Sequence, residues 1–149
     1  MLALLVAYSL AGLLGESEVP LVCQRDGALP TTTQERLDVT MCAAHDRMAS
    51  LTHLQDSDVS RIAVEAATAP TFTILDEVIA SATPRWQVVA LDLRGDLYVD
   101  MAAHLRHAGA SSFRVSPWLA SARRAYADAR TRRLGLEGAT TNSDKETPI

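Results

Sequence analysis

Residues Arg85 to Trp118 read RWQVVALDLRGDLYVDMAAHLRHAGASSFRVSPW, and the fold depends on what this stretch forms. Trp86 to Leu93 is rich in Val, Leu and Ala, as a strand buried on both faces would be, and it closes on the charged group Asp92, Arg94 and Asp96. Asp96 is placed to cap a helix in which Leu97, Met101, Leu105 and Ala108 repeat at helical spacing. Gly109 stands where a left-handed C-cap is needed, since a residue without Cβ takes positive φ at little steric cost. Ser112 to Val115 is short and β-compatible, and Ser116-Pro117 offers an N-cap followed by proline at the first position of a further helix. Strand, helix and second strand make a βαβ unit. The expected fold class is α/β: a small domain with parallel strands, either free-standing or part of a barrel.

Upstream, Thr32-x-x-Glu35 matches a capping box, and Leu37, Met41, Ala44, Met48 and Leu51 follow on one helical face. Asp56, Ser57 and Asp58 are suited to start another helix, with Val59, Ile62, Ala63 and Ala66 as its buried stripe and Pro70 as its end. Thr71 to Ala82 has two readings. TFTIL suits a strand, whereas Ile74, Leu75, Val78, Ile79 and Ala82 suit a helix. Val19 to Gln24 is a short β-compatible run broken by the turn residues Asp26-Gly27 and Pro30. Downstream, Trp118, Ala122, Tyr126 and Ala129 give a last helix its apolar side, with Arg123, Arg124, Arg130, Arg132 and Arg133 on its other faces. The segment from Gly135 to Ile149 is polar and poor in large apolar groups, the composition of a disordered tail. One α/β domain over residues 1–134 with a tail over 135–149 is the expected organisation.

The chain has 149 residues, enough for one core and too few for a complete large α/β barrel. Its net charge of -4 gives no general attraction to nucleic acid. Two cysteines, Cys23 and Cys42, lie outside Cys-x-x-Cys spacing and read as reduced thiols of a cytoplasmic protein, with a single disulfide as the alternative. His45 and His53 lack a second pair at metal-ligand spacing and read as surface or boundary side chains, so no metal and no cofactor is expected. Met1 to Gly15, MLALLVAYSLAGLLG, falls short of the roughly 20 apolar residues of a stable membrane span. It reads as a buried helix without a polar face, to be covered by its own domain, by a protein partner or by a second copy in a homo-oligomer.

No Gly-x-Ser-x-Gly elbow and no glycine-rich phosphate loop is present. The candidate ligand-binding residues are chosen by topology: Asp92 and Arg94 at the end of one expected strand, Arg114 and Ser116 at the end of the next. In parallel α/β folds these ends face the ligand.

Asp92-Leu93, Leu105-Arg106-His107-Ala108-Gly109, Ser112-Phe113-Arg114-Val115-Ser116-Pro117 and Ala125-Tyr126 together resemble the later part of the collagenase-like peptidase family, U-thirty-two. In its ubiquinone-biosynthesis accessory branch a strand reads much like Arg114 to Pro117, and Gly27-Ala28-Leu29-Pro30 and Cys42 have counterparts in the same order. The family's barrel has an earlier half that this chain lacks, and of the branch's four cluster-binding cysteines only Cys42 has a counterpart. The resemblance implies a diverged or truncated relative, a partner-dependent or binding protein rather than an intact enzyme. Two alternatives stand beside it: a stand-alone α/β interaction or regulatory module resembling anti-sigma-antagonist domains, and a membrane-associated accessory protein of a mobile element anchored by Met1 to Gly15.

Overall fold

The computed structural model describes residues 30–143, with side chains through residue 139. Among these residues every regular element is a helix: α1 (Thr33–Ala49), α2 (Ser57–Ser81), α3 (Pro84–His107) and α4 (Ser112–Ser143). Each start and stop has a local cause. Thr32 closes the capping box expected for α1, its hydroxyl accepting from Glu35 N–H while the Glu35 carboxylate accepts from the Thr32 and Thr31 N–H groups. Asp56 caps α2 by accepting from the backbone of Asp58 and Val59. Pro84 opens α3 at a position where its missing N–H costs nothing. Gly109 takes φ +84° after α3. There Ala110 N–H donates to Leu105 C=O and Gly109 N–H to Arg106 C=O, the paired bonds of a Schellman stop.

Short connections make consecutive helices antiparallel neighbours. Arg36 meets Glu77 and Thr71 meets the Thr40 carbonyl across α1 and α2, while the Phe72 and Tyr98 rings meet at a 40° tilt across α2 and α3. Tyr126 meets Asp96 across α3 and α4. The third helix is central, with α1 and α2 on one side of it and α4 on the other. Its buried residues accordingly form two stripes. Ala90, Leu93, Leu97 and Met101 join Leu37, Met41, Ala44, Met48, Val64, Leu75 and Val78 in the main cluster. Val88 and Leu91 pack with Ala129, and Ala102 and Leu105 pack with Val115, on the α4 side.

This two-sided burial corrects the α/β expectation. Trp86 to Leu93 is apolar because α3 is covered on both sides, and eight such residues read alike as a doubly buried strand or as a central helix. No sheet and no βαβ unit exists among the described residues. Ser112 to Val115 is helical and opens α4, so Ser116-Pro117 lies inside that helix instead of capping it. Asp96 is not a cap; it sits in the middle of α3.

Pro70 does not end α2, which runs on to Ser81 and absorbs the ambiguous Thr71 to Ala82 stretch except its last residue, the C-cap. An interior proline costs about 3 kcal/mol. The stripe Val64, Thr68, Thr71, Leu75 and Val78 stays buried across it, and this shared packing outweighs the local preference. The tail reading is corrected as well over Gly135 to Ser143, which continue α4, with Leu136 packed against the Val88 and Leu91 cluster. Cys42, buried on α1, is disulfide-bonded and not a reduced thiol. Cysteine spacing along a chain does not report which thiols a fold brings within bonding reach. Cys23, the Val19 to Gln24 run and the Met1 to Gly15 segment lie outside the described residues. Among the described residues no helix is long and apolar enough to cross a membrane.

Candidate functional site

The four residues chosen as strand ends do not converge. Asp92 faces α4, where it accepts a hydrogen bond from Arg133 at 2.7 Å. Arg94, two residues on, points to α2, pairing with Asp76 and lying 5.8 Å from the centroid of the Phe72 ring. Arg114 reaches from the first turn of α4 to the first turn of α2, donating to Asp58 and, at 2.9 Å, to the Ser57 hydroxyl. Ser116 is exposed on α4. The strand end at Arg114 to Pro117 that the peptidase resemblance implies lies in the opening turns of α4. These charged groups tie helices together at separate points.

A different set does converge. Along α3, Asp92, Asp96, Asp100 and His104 follow one another at four-residue spacing. Each step of four advances about 40° around a helix of 3.6 residues per turn, so the row winds from the α4 side toward the α1 side. Asp92 and Asp96 are accordingly met by α4. The Tyr126 hydroxyl donates to Asp96 Oδ1 at 2.7 Å. Asp100 is met by α1, with His45 Nε2 3.5 Å from its Oδ2. That distance is a charge contact and not a hydrogen bond, and Asp100 Oδ2 is a buried oxygen with no hydrogen-bond partner among the described residues.

Gly95 makes the approach of α4 possible. It lies beneath the Tyr126 ring, where a Cβ would stand 2.7 Å from the ring's Cδ1 and Cζ, closer than side-chain atoms pack. The other buried α4 residues along this side, Ala122, Ala125 and Ala129, are small too, which keeps the two backbones close.

Burial sets the titration of the row. It pushes the Asp100 carboxyl up to about 7, with the neighbouring Asp96 charge adding to the effect. Desolvation also raises Asp92, against the lowering influence of Arg133. His45 is lowered by burial, opposed by the charges of Asp46 and Asp96. His104 is lowered by burial, opposed by its hydrogen bond to the Leu51 backbone. The Tyr126 hydroxyl is raised, first by burial and then by its bond to Asp96 and the surrounding carboxylates, so it stays a donor. Among the described residues no group of three or more histidines, cysteines and carboxylates is placed to hold a metal ion.

Of the surface and boundary readings, His45 takes the boundary one, and Asp96, Asp100 and Tyr126 are functional candidates that strand-end topology passes over. Their signal in the sequence is the four-residue repeat of acidic residues inside an apolar helix. No protein-family model, no curated protein and no solved structure matches the chain.

Proposed function

We propose that this chain is a partner-binding helical domain rather than an enzyme. The observation that carries this reading is Phe113, 88% exposed at the start of α4. The exposed Val59 and Ile62 lie in the opening turns of α2. Arg114 and Asp58 join these two helix starts, so the three apolar side chains share one end of the molecule. A large aromatic left in water beside aliphatic neighbours suits an anchor for an apolar segment of another protein. The charged side chains that strand-end topology selects are engaged between helices, which suits a scaffold more than a reaction centre.

A photo-crosslinking amino acid placed at position 113 in the full chain, in cells that naturally make it, tests the reading. The expected result is a discrete adduct from position 113 that is absent from a control at the exposed Leu134. Its mass identifies a different protein or a second copy. No adduct at 113, or the same spread of adducts at 134, would overturn the proposal.

A further inference from the structure

We infer that the His45–Asp100 contact, backed by Asp96 and Tyr126, is a proton-controlled latch that holds α1 against α3. The geometry is that of a latch because the two groups sit on different helices and both are largely withdrawn from water. Of the helix pairs in contact, α1 and α3 share the sparsest packing, so one polar contact between them weighs heavily. Asp100 Oδ2 is buried and has no hydrogen-bond partner among the described residues, so a carboxylate there has no strong donor to replace the hydration of that oxygen. Asp96 stands one turn before it on α3, so loss of the Asp100 proton places two carboxylates in one poorly solvated space.

Among the described residues, the charged and titratable groups around the contact come from all four helices. The first helix presents His45 and Asp46, the third Asp92, Asp96 and His104, and the fourth Tyr126 and Arg133. The second helix commits its charges elsewhere: Asp58 to Arg114, Arg61 to Glu65, Asp76 to Arg94 and Glu77 to Arg36. Among the described residues, His45 is the cation-forming group that faces the Asp100 carboxyl.

Asp100, raised when folded, stabilises the closed arrangement below its unfolded value near 4, and that stabilisation is lost as pH rises toward 7. His45, lowered when folded, acts in the opposite sense: its contribution is complete above its ordinary value of 6.5 and is lost as pH falls below it. The two slopes oppose each other in mildly acidic solution, and only the Asp100 slope remains between about 6.5 and 7. The latch therefore loosens as the solution passes through neutrality from the acid side.

Hydrogen–deuterium exchange of the full chain at pH 6 and pH 8, corrected for intrinsic rates, tests this on the amides of α1. In the wild type the opening of α1 relative to α2 increases several-fold from pH 6 to pH 8. In Asp100→Asn only the histidine slope survives, and α1 becomes as well or better protected at pH 8. In His45→Gln the loosening of the wild type persists and steepens. Equal relative protection of α1 at both pH values in the wild type, or an unchanged loss in Asp100→Asn, would overturn the latch. A carboxyl NMR titration of Asp100 in the wild type gives a second reading that needs no variant to fold, and a midpoint near 4 would overturn it as well.

Discussion

The Tyr126 ring lies against Gly95, and its hydroxyl donates a hydrogen bond to the next residue, Asp96, at 2.7 Å. Two adjacent positions of α3 thus seat one side chain of α4, the first by having no side chain and the second by having a charged one. Gly95→Ala sets two effects against each other. Alanine favours the helix by about 1 kcal/mol. Its methyl group meets a ring held at the far end by a hydrogen bond, an overpacking cost of about 1–3 kcal/mol. The expected net result is destabilisation, read as a lower urea midpoint with unchanged slope. In Gly95→Ala combined with Tyr126→Ala the loss is smaller than the sum of the two single losses, because the clash is gone.

Tyr126→Phe keeps the ring on Gly95 and removes only the donor to Asp96. A half-buried carboxylate then loses its protein hydrogen bond, and the expected cost is about 1–3 kcal/mol in chemical denaturation at pH 7. An effect within experimental error would mean that water replaces the phenol without loss.

Leu97 and Arg94 sit three residues apart on α3 and differ widely in what their removal should do. Leu97 is fully buried in the main cluster, so Leu97→Ala is expected to cost about 2–5 kcal/mol. Arg94 is partly exposed, as is its partner Asp76, and Arg94→Gln is expected to cost no more than about 1 kcal/mol, with most of the effect screened by salt. Thermal unfolding of both variants at low and high ionic strength checks the contrast.

At the start of α2, Asp56 is held below the usual carboxylate range by the backbone N–H groups of Val59 and Asp58. A depressed folded value means that its stabilisation is present above about 4 and is lost as pH falls through the folded value. Asp56→Ala is therefore expected to lower the melting temperature at pH 7, with the difference from wild type shrinking on acidification. Asp56→Asn, which keeps an acceptor for the cap, is expected to fall between the two.

The helix ends were the most legible part of the sequence. Thr32 with Glu35, Asp56 with Asp58, and Gly109 work through atoms a few residues apart, so local sequence contains the whole interaction. Trp86 to Leu93 was misleading for the opposite reason. Its many apolar residues record neighbours on two sides of the chain, and those neighbours are α1, α2 and α4, contributed by distant sequence. Pro70 likewise stands in a helix because buried side chains on both sides of it hold α2 together. At the site, the acidic repeat is visible in the sequence. Its partners are not: Tyr126 follows Asp96 by thirty residues, and His45 precedes Asp100 from another helix. Asp92 and Arg94 failed as a joint site because two residues along a helix turn a side chain to another neighbour, whereas two residues along a strand return it to the same face.

The four-residue pitch of Asp92, Asp96 and Asp100 works as an addressing scheme. A polar row alternating three- and four-residue steps stays on a single neighbour, as in a coiled-coil seam. A row that repeats only the longer step drifts, and after two turns it has changed correspondents, from an arginine and a phenol on α4 to an imidazole on α1. One helix thereby carries separate messages to helices on two sides, and the register of a single residue decides which recipient each carboxylate has.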